Sequence, residues 1–286
     1  MNSVVIIGAG TVGLATGATL AAHGYPVLFV DSSPARRAEL SAGGWDTSAA
    51  PRLAAPHTTA FVCTPTPVDE SGYDLSSVEP AVRSLVRMAR STAATIDVVI
   101  RSTVAPGTCD GPVTAWIRDE APNRSKTDFP VVHCPEFLRE AHAFDDARSP
   151  RSIVIGATDP SARKRLERLM SGSSAPVETF DTATAAELVK CAHNAYNATK
   201  ISFWNEIEIM ARHLGVDGHA VAKVVSVTAE ASWNPDYGIR GGSPYGGACL
   251  PKDVLGLISP FRDLGLAPNV LTAVHERNRR TSETAP

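Results

Sequence analysis

The run Gly8-Ala9-Gly10-Thr11-Val12-Gly13, directly after the apolar stretch Val4-Val5-Ile6-Ile7, constrains this chain more than any other feature. A G-x-G-x-x-G alone is a weak signal. Here it leaves an apolar strand, opens an apolar helix from Leu14 to Leu20, and is followed by Asp31 at the end of the next strand, about 20 residues on. That combination specifies a nucleotide-binding βαβ unit. Gly8 permits the tight turn, Gly10 lets the backbone approach a pyrophosphate, and Gly13 allows close helix packing. The helix start at Thr11 and Val12 presents free N–H groups to phosphate. A carboxylate at Asp31 accepts both ribose hydroxyls and repels a 2'-phosphate. NAD is therefore the expected cofactor, with Arg36 and Arg37 keeping NADP open as a minor alternative.

The rest of the first half repeats the pattern. Strands are expected at 3–7, 26–30, 59–63, 97–101, 129–133, 152–156 and 176–180, and helices at about 11–23, 34–41, 77–91, 109–120 and 159–171. Several strands are unbroken apolar runs, as in a strand buried on both faces. The alternation argues for an α/β fold, a Rossmann-type doubly wound parallel sheet. The character changes near residue 181. From Ala183 to about Leu214 there is neither Pro nor Gly, and Asp181 or Thr182 can cap the helix. Helices at about 218–229, 252–264 and 268–281 follow, with a glycine-rich loop from Asn234 to Gly247 and an end from Arg279 on expected to fray. The sequence thus divides into residues 1–181, an NAD-binding Rossmann-type domain, and residues 182–286, an all-helical dimerisation domain. The long helix is apolar around much of its circumference (Leu188, Val189, Tyr196, Ile201, Phe203, Ile209), so a homodimer is expected.

Composition narrows the function. With 43% hydrophobic residues, 20% charged residues and a net charge of -3, the chain is neither disordered nor equipped to grip nucleic acid or an anionic membrane. No apolar run approaches the ~18–20 residues that span a bilayer, and the N-terminus lacks a signal-peptide pattern. A cytoplasmic protein acting on a small molecule is expected. The five cysteines are widely spaced with no C-x-x-C, so no metal site is expected.

Four segments carry polar residues where a core would not want them. Arg101-Ser102-Thr103-Val104-Ala105-Pro106-Gly107-Thr108 ends a strand, and Pro135-Glu136-Phe137-Leu138-Arg139-Glu140 ends the next. Glu136 and Glu140 share a face if that segment is helical. Lys190 and Asn194 stand four residues apart on the long helix. Gly246-Gly247-Ala248-Cys249-Leu250-Pro251-Lys252-Asp253 puts a thiol at the mouth of a helix, where the dipole and Lys252 favour a thiolate. Cys63, Cys109, Cys134 and Cys191 lack such a setting and read as buried thiols.

Together with Phe61-Val62-Cys63-Thr64-Pro65-Thr66-Pro67, Glu187 through Asn194 and Lys200 through Glu206, these segments resemble the UDP-glucose/GDP-mannose dehydrogenase family, in order and nearly end to end. The resemblance implies a four-electron, NAD-dependent oxidation of a primary alcohol of a sugar-like substrate to a carboxylate, through a cysteine thiohemiacetal and thioester. It assigns Cys249 as nucleophile, Lys190 and Asn194 to the oxyanion, Asp253 and Thr103 to the water, Glu136 as general base and Glu140 as its support. Thr64, Pro65 and Thr103 would line the cofactor cleft. Phe137, Leu138, Arg139, Trp233, Tyr237, Arg240, Tyr245 and Gly246 would join Lys190 and Asn194 around the substrate.

Two departures qualify this. Family members carry a third domain that grips the nucleotide, whereas the sequence stops at Pro286, so a weakened hold on base and diphosphate is expected. An Arg usually supplied across the dimer falls at Trp233, with Arg240 the alternative supplier. A two-electron dehydrogenase on a non-nucleotide substrate and a non-catalytic NAD-binding paralogue are the competing readings.

Overall fold

A computed structural model describes residues 3–53 and 55–284. The first half runs β1 (Ser3–Ile7), α1 (Thr11–Ala22), β2 (Val27–Val30), α2 (Pro34–Ala42), β3 (Asp46–Ser48) and β4 (His57–Val62). A small hairpin, β5 (Val68–Asp69) and β6 (Gly72–Tyr73), precedes α3 (Val78–Ala89), β7 (Thr95–Ile100), α4 (Thr114–Glu120) and β8 (Val131–His133). Then come α5 (Ala143–Arg148), β9 (Ile153–Gly156), α6 (Pro160–Met170), β10 (Val177–Phe180) and the long α7 (Ala183–Leu214).

Eight strands form one sheet in the order β10-β9-β8-β7-β4-β1-β2-β3. Side chains alternate along each strand and so feed two cores. Val5 and Ile7 of β1 pack with Leu85 and Val86 of α3 and Ile117 of α4. Val4 and Ile6 pack with Leu20 of α1 and Leu166 of α6. The strand order reverses between β1 and β4. The crevice at the carboxyl ends there is where doubly wound sheets hold ligands.

The structure departs from the sequence reading in four places. The sheet is mixed, because β9 runs antiparallel to β8, with His133 opposite Gly156. Strand-helix alternation does not fix strand direction, and only a 3-10 turn and the short α5 lie between these two. The segment expected as one helix at 109–120 begins as a wide π turn, Cys109–Val113, around Pro112, which has no N–H to give. Residues 136–138 are not helical, so Glu136 and Glu140 do not share a helical face; Glu140 instead opens a separate 3-10 turn. The C-terminal stretch is ordered helix as far as Thr284, because Glu276 pairs with both Arg279 and Arg280. The last two residues of the expected frayed tail lie outside the described residues.

The chain divides into two compact units, 1–193 and 194–286. That division falls inside α7, downstream of the composition change at 181. The second unit comprises the rest of α7 with α8 (Gly218–Thr228), α9 (Glu230–Trp233), α10 (Leu250–Asp263) and α11 (Asn269–Thr284). Its core is small, built on Met210, Ile258, Phe261 and Leu271. Tyr196, Ile201 and Ile209 of α7 and Val224 and Val227 of α8 stay exposed. Among the described residues no helix is long and apolar enough to cross a membrane.

Candidate active site

The sheet order places the ends of β8, β7, β4 and β1 side by side on one edge. The loops that follow them are four of the segments singled out by sequence. Gly8 has φ +89°, and a Cβ there would lie 2.7 Å from the Cys63 carbonyl oxygen, so only glycine lets the β1 and β4 loops meet. A Cβ on Gly13 would overlap the Gly8 carbonyl oxygen. Gly10 begins α1 with no side chain capping it, and a Cβ there meets nothing. The helix start at Thr11 and Val12 thus has no side-chain cap.

Asp31 braces this turn. One of its oxygens accepts the Ala9 N–H at 2.9 Å and the other the Ser33 N–H at 2.8 Å. Each keeps a lone pair for a ribose hydroxyl. The Arg36 Nε donates to the Ala9 carbonyl, and the Arg37 Nη1 to the Asp31 and Ser32 carbonyls. Both guanidiniums are therefore tied to backbone. The Thr64 hydroxyl is buried with no partner, beside the exposed Pro65. An uncapped helix start, a ribose-ready carboxylate and an orphaned hydroxyl fit a dinucleotide.

The next two strand ends carry Arg101, Thr103 and Glu136. Arg101 is 7% exposed; its Nη1 donates to the Cys134 and Pro135 carbonyls at 2.9 and 2.8 Å, fixing the backbone that leads into Glu136. Ser102 donates to the Thr64 carbonyl at 2.6 Å, and the Thr103 carbonyl accepts from Thr66 at 2.7 Å. Arg101 and Thr103 thus stand on loops stitched to their neighbours. Glu136 accepts the Leu138 N–H at 2.6 Å and lies 3.0 Å from the Lys190 ammonium. Both side chains of that pair are largely buried, 6% exposed for Lys190 and 14% for Glu136. The Lys190 ammonium also sits 5.5 Å from the Phe137 ring centre, and that ring packs on His193 at 4.8 Å. Burial, reinforced by Lys190 and opposed by Glu136, lowers the His193 pKa from its ordinary 6.5. Glu187, one helical turn before Lys190, is fully buried and accepts the Gly107 and Cys109 N–H groups at 2.6 and 2.8 Å.

The other residues of this loop have different settings. Leu138 is half-buried, and Arg139 is pinned to Asp146 through its guanidinium and its backbone N–H. That pairing holds the Asp146 carboxyl well below the usual carboxylate range. Glu140 is exposed. The thiols of Cys109 and Cys134 are pushed up by burial, as is that of Cys63, which reaches about 12 despite Arg101.

The second unit presents its candidates in the open. Asn194, Trp233, Tyr237, Arg240, Gly246, Cys249 and Asp253 are all exposed. Cys249 caps the start of α10, and its carbonyl accepts the Asp253 N–H at 2.8 Å. The Asp253 carboxylate pairs with Lys252 at 2.9 Å. Tyr245 is the anchored member of the loop. Its N–H donates to the Asn278 side chain at 2.7 Å, and its carbonyl accepts from the same amide at 3.0 Å. Glu206 accepts the Val270 and Leu271 N–H groups at the start of α11.

Sequence reasoning gave no role to Arg101, Glu187, Glu206 or Asn278. The glutamates lie in stretches already set apart, and a charged residue among apolar neighbours on a helix was the available signal. For Asn278 there was none.

Comparisons with known proteins show the family. Residues 46–172 match the NAD binding domain, and residues 184–280 the central domain, of the UDP-glucose/GDP-mannose dehydrogenase family. A GDP-mannose 6-dehydrogenase of Pseudomonas savastanoi pv. phaseolicola is 34% identical over 79% of this chain and 51% of its own length. A UDP-glucose 6-dehydrogenase of Rhizobium meliloti is 32% identical over 91% of this chain and 63% of its own. The chain thus spans about half to two thirds of the length of these relatives. Among solved structures, a ternary complex of GDP-mannose dehydrogenase from Pseudomonas aeruginosa superposes with a TM-score of 0.89 at 28% identity, covering 98% of this chain and 69% of that one.

Proposed function

Since this chain belongs to the UDP-glucose/GDP-mannose dehydrogenase family, we propose that it oxidises the primary alcohol of a nucleotide sugar, or a related sugar-like compound, to a carboxylate. The buried Glu136–Lys190 pair, set on the sheet edge that carries the dinucleotide cradle, is the observation that carries this reading. Gly8 to Gly13, Asp31 and Thr64 would hold the dinucleotide, and two successive molecules of NAD would supply the acceptors for the two hydrides. Thr103 and Pro65 border the same cleft.

The first oxidation turns the alcohol carbon into an aldehyde. The Cys249 sulfur then adds to that carbon, and the oxygen takes the charge of a thiohemiacetal, steadied by the Lys190 ammonium and the Asn194 amide. Loss of the second hydride leaves a thioester. Glu136 takes a proton from water, the hydroxide displaces the sulfur, and the carboxylate leaves with the thiol restored. Asp253 and Thr103 orient that water, and Glu140 supports the loop. Phe137, Leu138, Trp233, Tyr237, Arg240, Tyr245 and Gly246 offer flat and polar surfaces to the sugar, and Arg139 acts by holding its loop. The exposed apolar residues of α7 and α8 favour a homodimer.

Counting product tests this. Purified protein supplied with UDP- and GDP-sugars in turn should release two NADH per carboxylate formed. One NADH with an accumulating aldehyde would refute the four-electron course, and no turnover with any hydroxymethyl sugar would refute the activity.

A further inference from the structure

Cys109, His133 and Glu187 lie together and take no part in the chemistry above. Each is 0% exposed. A cysteine sulfur, an imidazole nitrogen and a carboxylate oxygen lie within 4.8 Å of one another. We propose that these three residues bind one divalent cation of borderline softness, zinc being the ion their donor set suits best.

The donor chemistry comes first. Thiolate, imidazole and carboxylate are the three ligand types zinc takes, at about 2.0–2.3 Å. Tetrahedral geometry at those lengths brings donor atoms to within roughly 3.5 Å of one another. Closing the cluster on an ion therefore needs side-chain shifts of about an ångström.

His133 supplies the second, independent observation. Both of its ring nitrogens are buried and neither has a hydrogen-bond partner. A buried polar group without a partner is costly, and native structures rarely leave one. Ligation uses the bare nitrogen of the neutral ring.

Charge also balances. The Glu187 carboxylate and a Cys109 thiolate bring two negative charges to a dication, with one proton released from the thiol on binding. Of the two cations nearby, Lys190 is answered by Glu136, and Arg101 is held by the Cys134 and Pro135 carbonyls. The Glu187 oxygens accept backbone N–H groups at 2.6 and 2.8 Å, which orients the carboxylate and leaves each oxygen a second lone pair. The ion would join the π turn after β7, the end of β8 and the first turns of α7. These are the elements leading to Thr103, Glu136 and Lys190, so its role is to brace them.

The full chain, purified without a histidine tag or chelator, should carry about one zinc per chain by elemental analysis. After chelation, cobalt titration should give a thiolate-to-cobalt charge-transfer band saturating at one equivalent. Cys109→Ser should abolish that band and Cys249→Ser should keep it. Zinc at a hundredfold excess over its Kd should raise Tm by roughly 5–10 °C in the wild type and leave His133→Gln unmoved. The shift still decides the matter if Cys109→Ser fails to fold. A wild type that gives no cobalt band and no shift with zinc overturns the proposal. So does a band lost in Cys249→Ser and kept in Cys109→Ser. None of these readouts depends on dehydrogenase activity.

Discussion

The two units hold their candidate site residues in opposite ways. In the first, Lys190 and Glu136 are paired at 3.0 Å inside the protein, with the Glu136 loop fixed by Arg101. In the second, Cys249 and Asp253 stand exposed at the start of α10, after a loop anchored through Tyr245 and Asn278. A buried charge pair is part of the fold, and losing one partner costs both stability and chemistry. An exposed thiol contributes little to folding, so its loss should leave stability in place.

The largest effect that could break this contrast is at the sulfur. Cys249→Ser should lower carboxylate formation on the order of 10³-fold or more, while the urea midpoint stays within error of wild type. A large drop in stability would mean the thiol is structural. Next comes Lys190→Met, which leaves the Glu136 charge buried alone and should destabilise the protein by about 3–5 kcal/mol. Adding Glu136→Gln should restore most of that stability and none of the activity. If the double variant unfolds like the single one, the pair is not the source of the loss.

Glu206→Gln sharpens the comparison within the second unit. It weakens the two N–H bonds at the start of α11 and should cost about 1–2 kcal/mol. The smallest expected effect is a pH slope. The His193 pKa is lowered on folding, so between that lowered value and 6.5 the unfolded chain binds more protons. Its contribution to stability is present above pH 6.5 and is lost as the pH falls below it. His193→Gln should flatten that part of the stability profile; an unchanged slope would rule the residue out as its source.

What could be read in advance follows from how local each signal is. The dinucleotide fingerprint lies within one βαβ unit, where spacing alone fixes the turn, the helix start and Asp31. The ends of α7 were equally legible, since Pro and Gly are absent between them and Thr182 caps its first turn by accepting the Ala185 N–H. Roles that depend on distant partners were not. Glu187 finds its amides 78 and 80 residues away, and Glu206 finds one of its own 65 residues away. The Glu136–Lys190 contact arises only when two separate elements converge, and the Cys109, His133 and Glu187 cluster needs three. Strand direction was hidden for the same reason, as β9 carries the same apolar run whichever way it points.

The continuity of α7 decides where this protein tolerates scission. A fragment ending at Asp181, where the composition shifts, would retain every strand yet strip the Gly107 and Cys109 amides of their acceptor and leave Glu136 without a counter-ion. Ending it at His193 instead carries all of those partners along. The natural seam for excising the sheet therefore runs through the middle of a helix, at a place no disordered hinge announces.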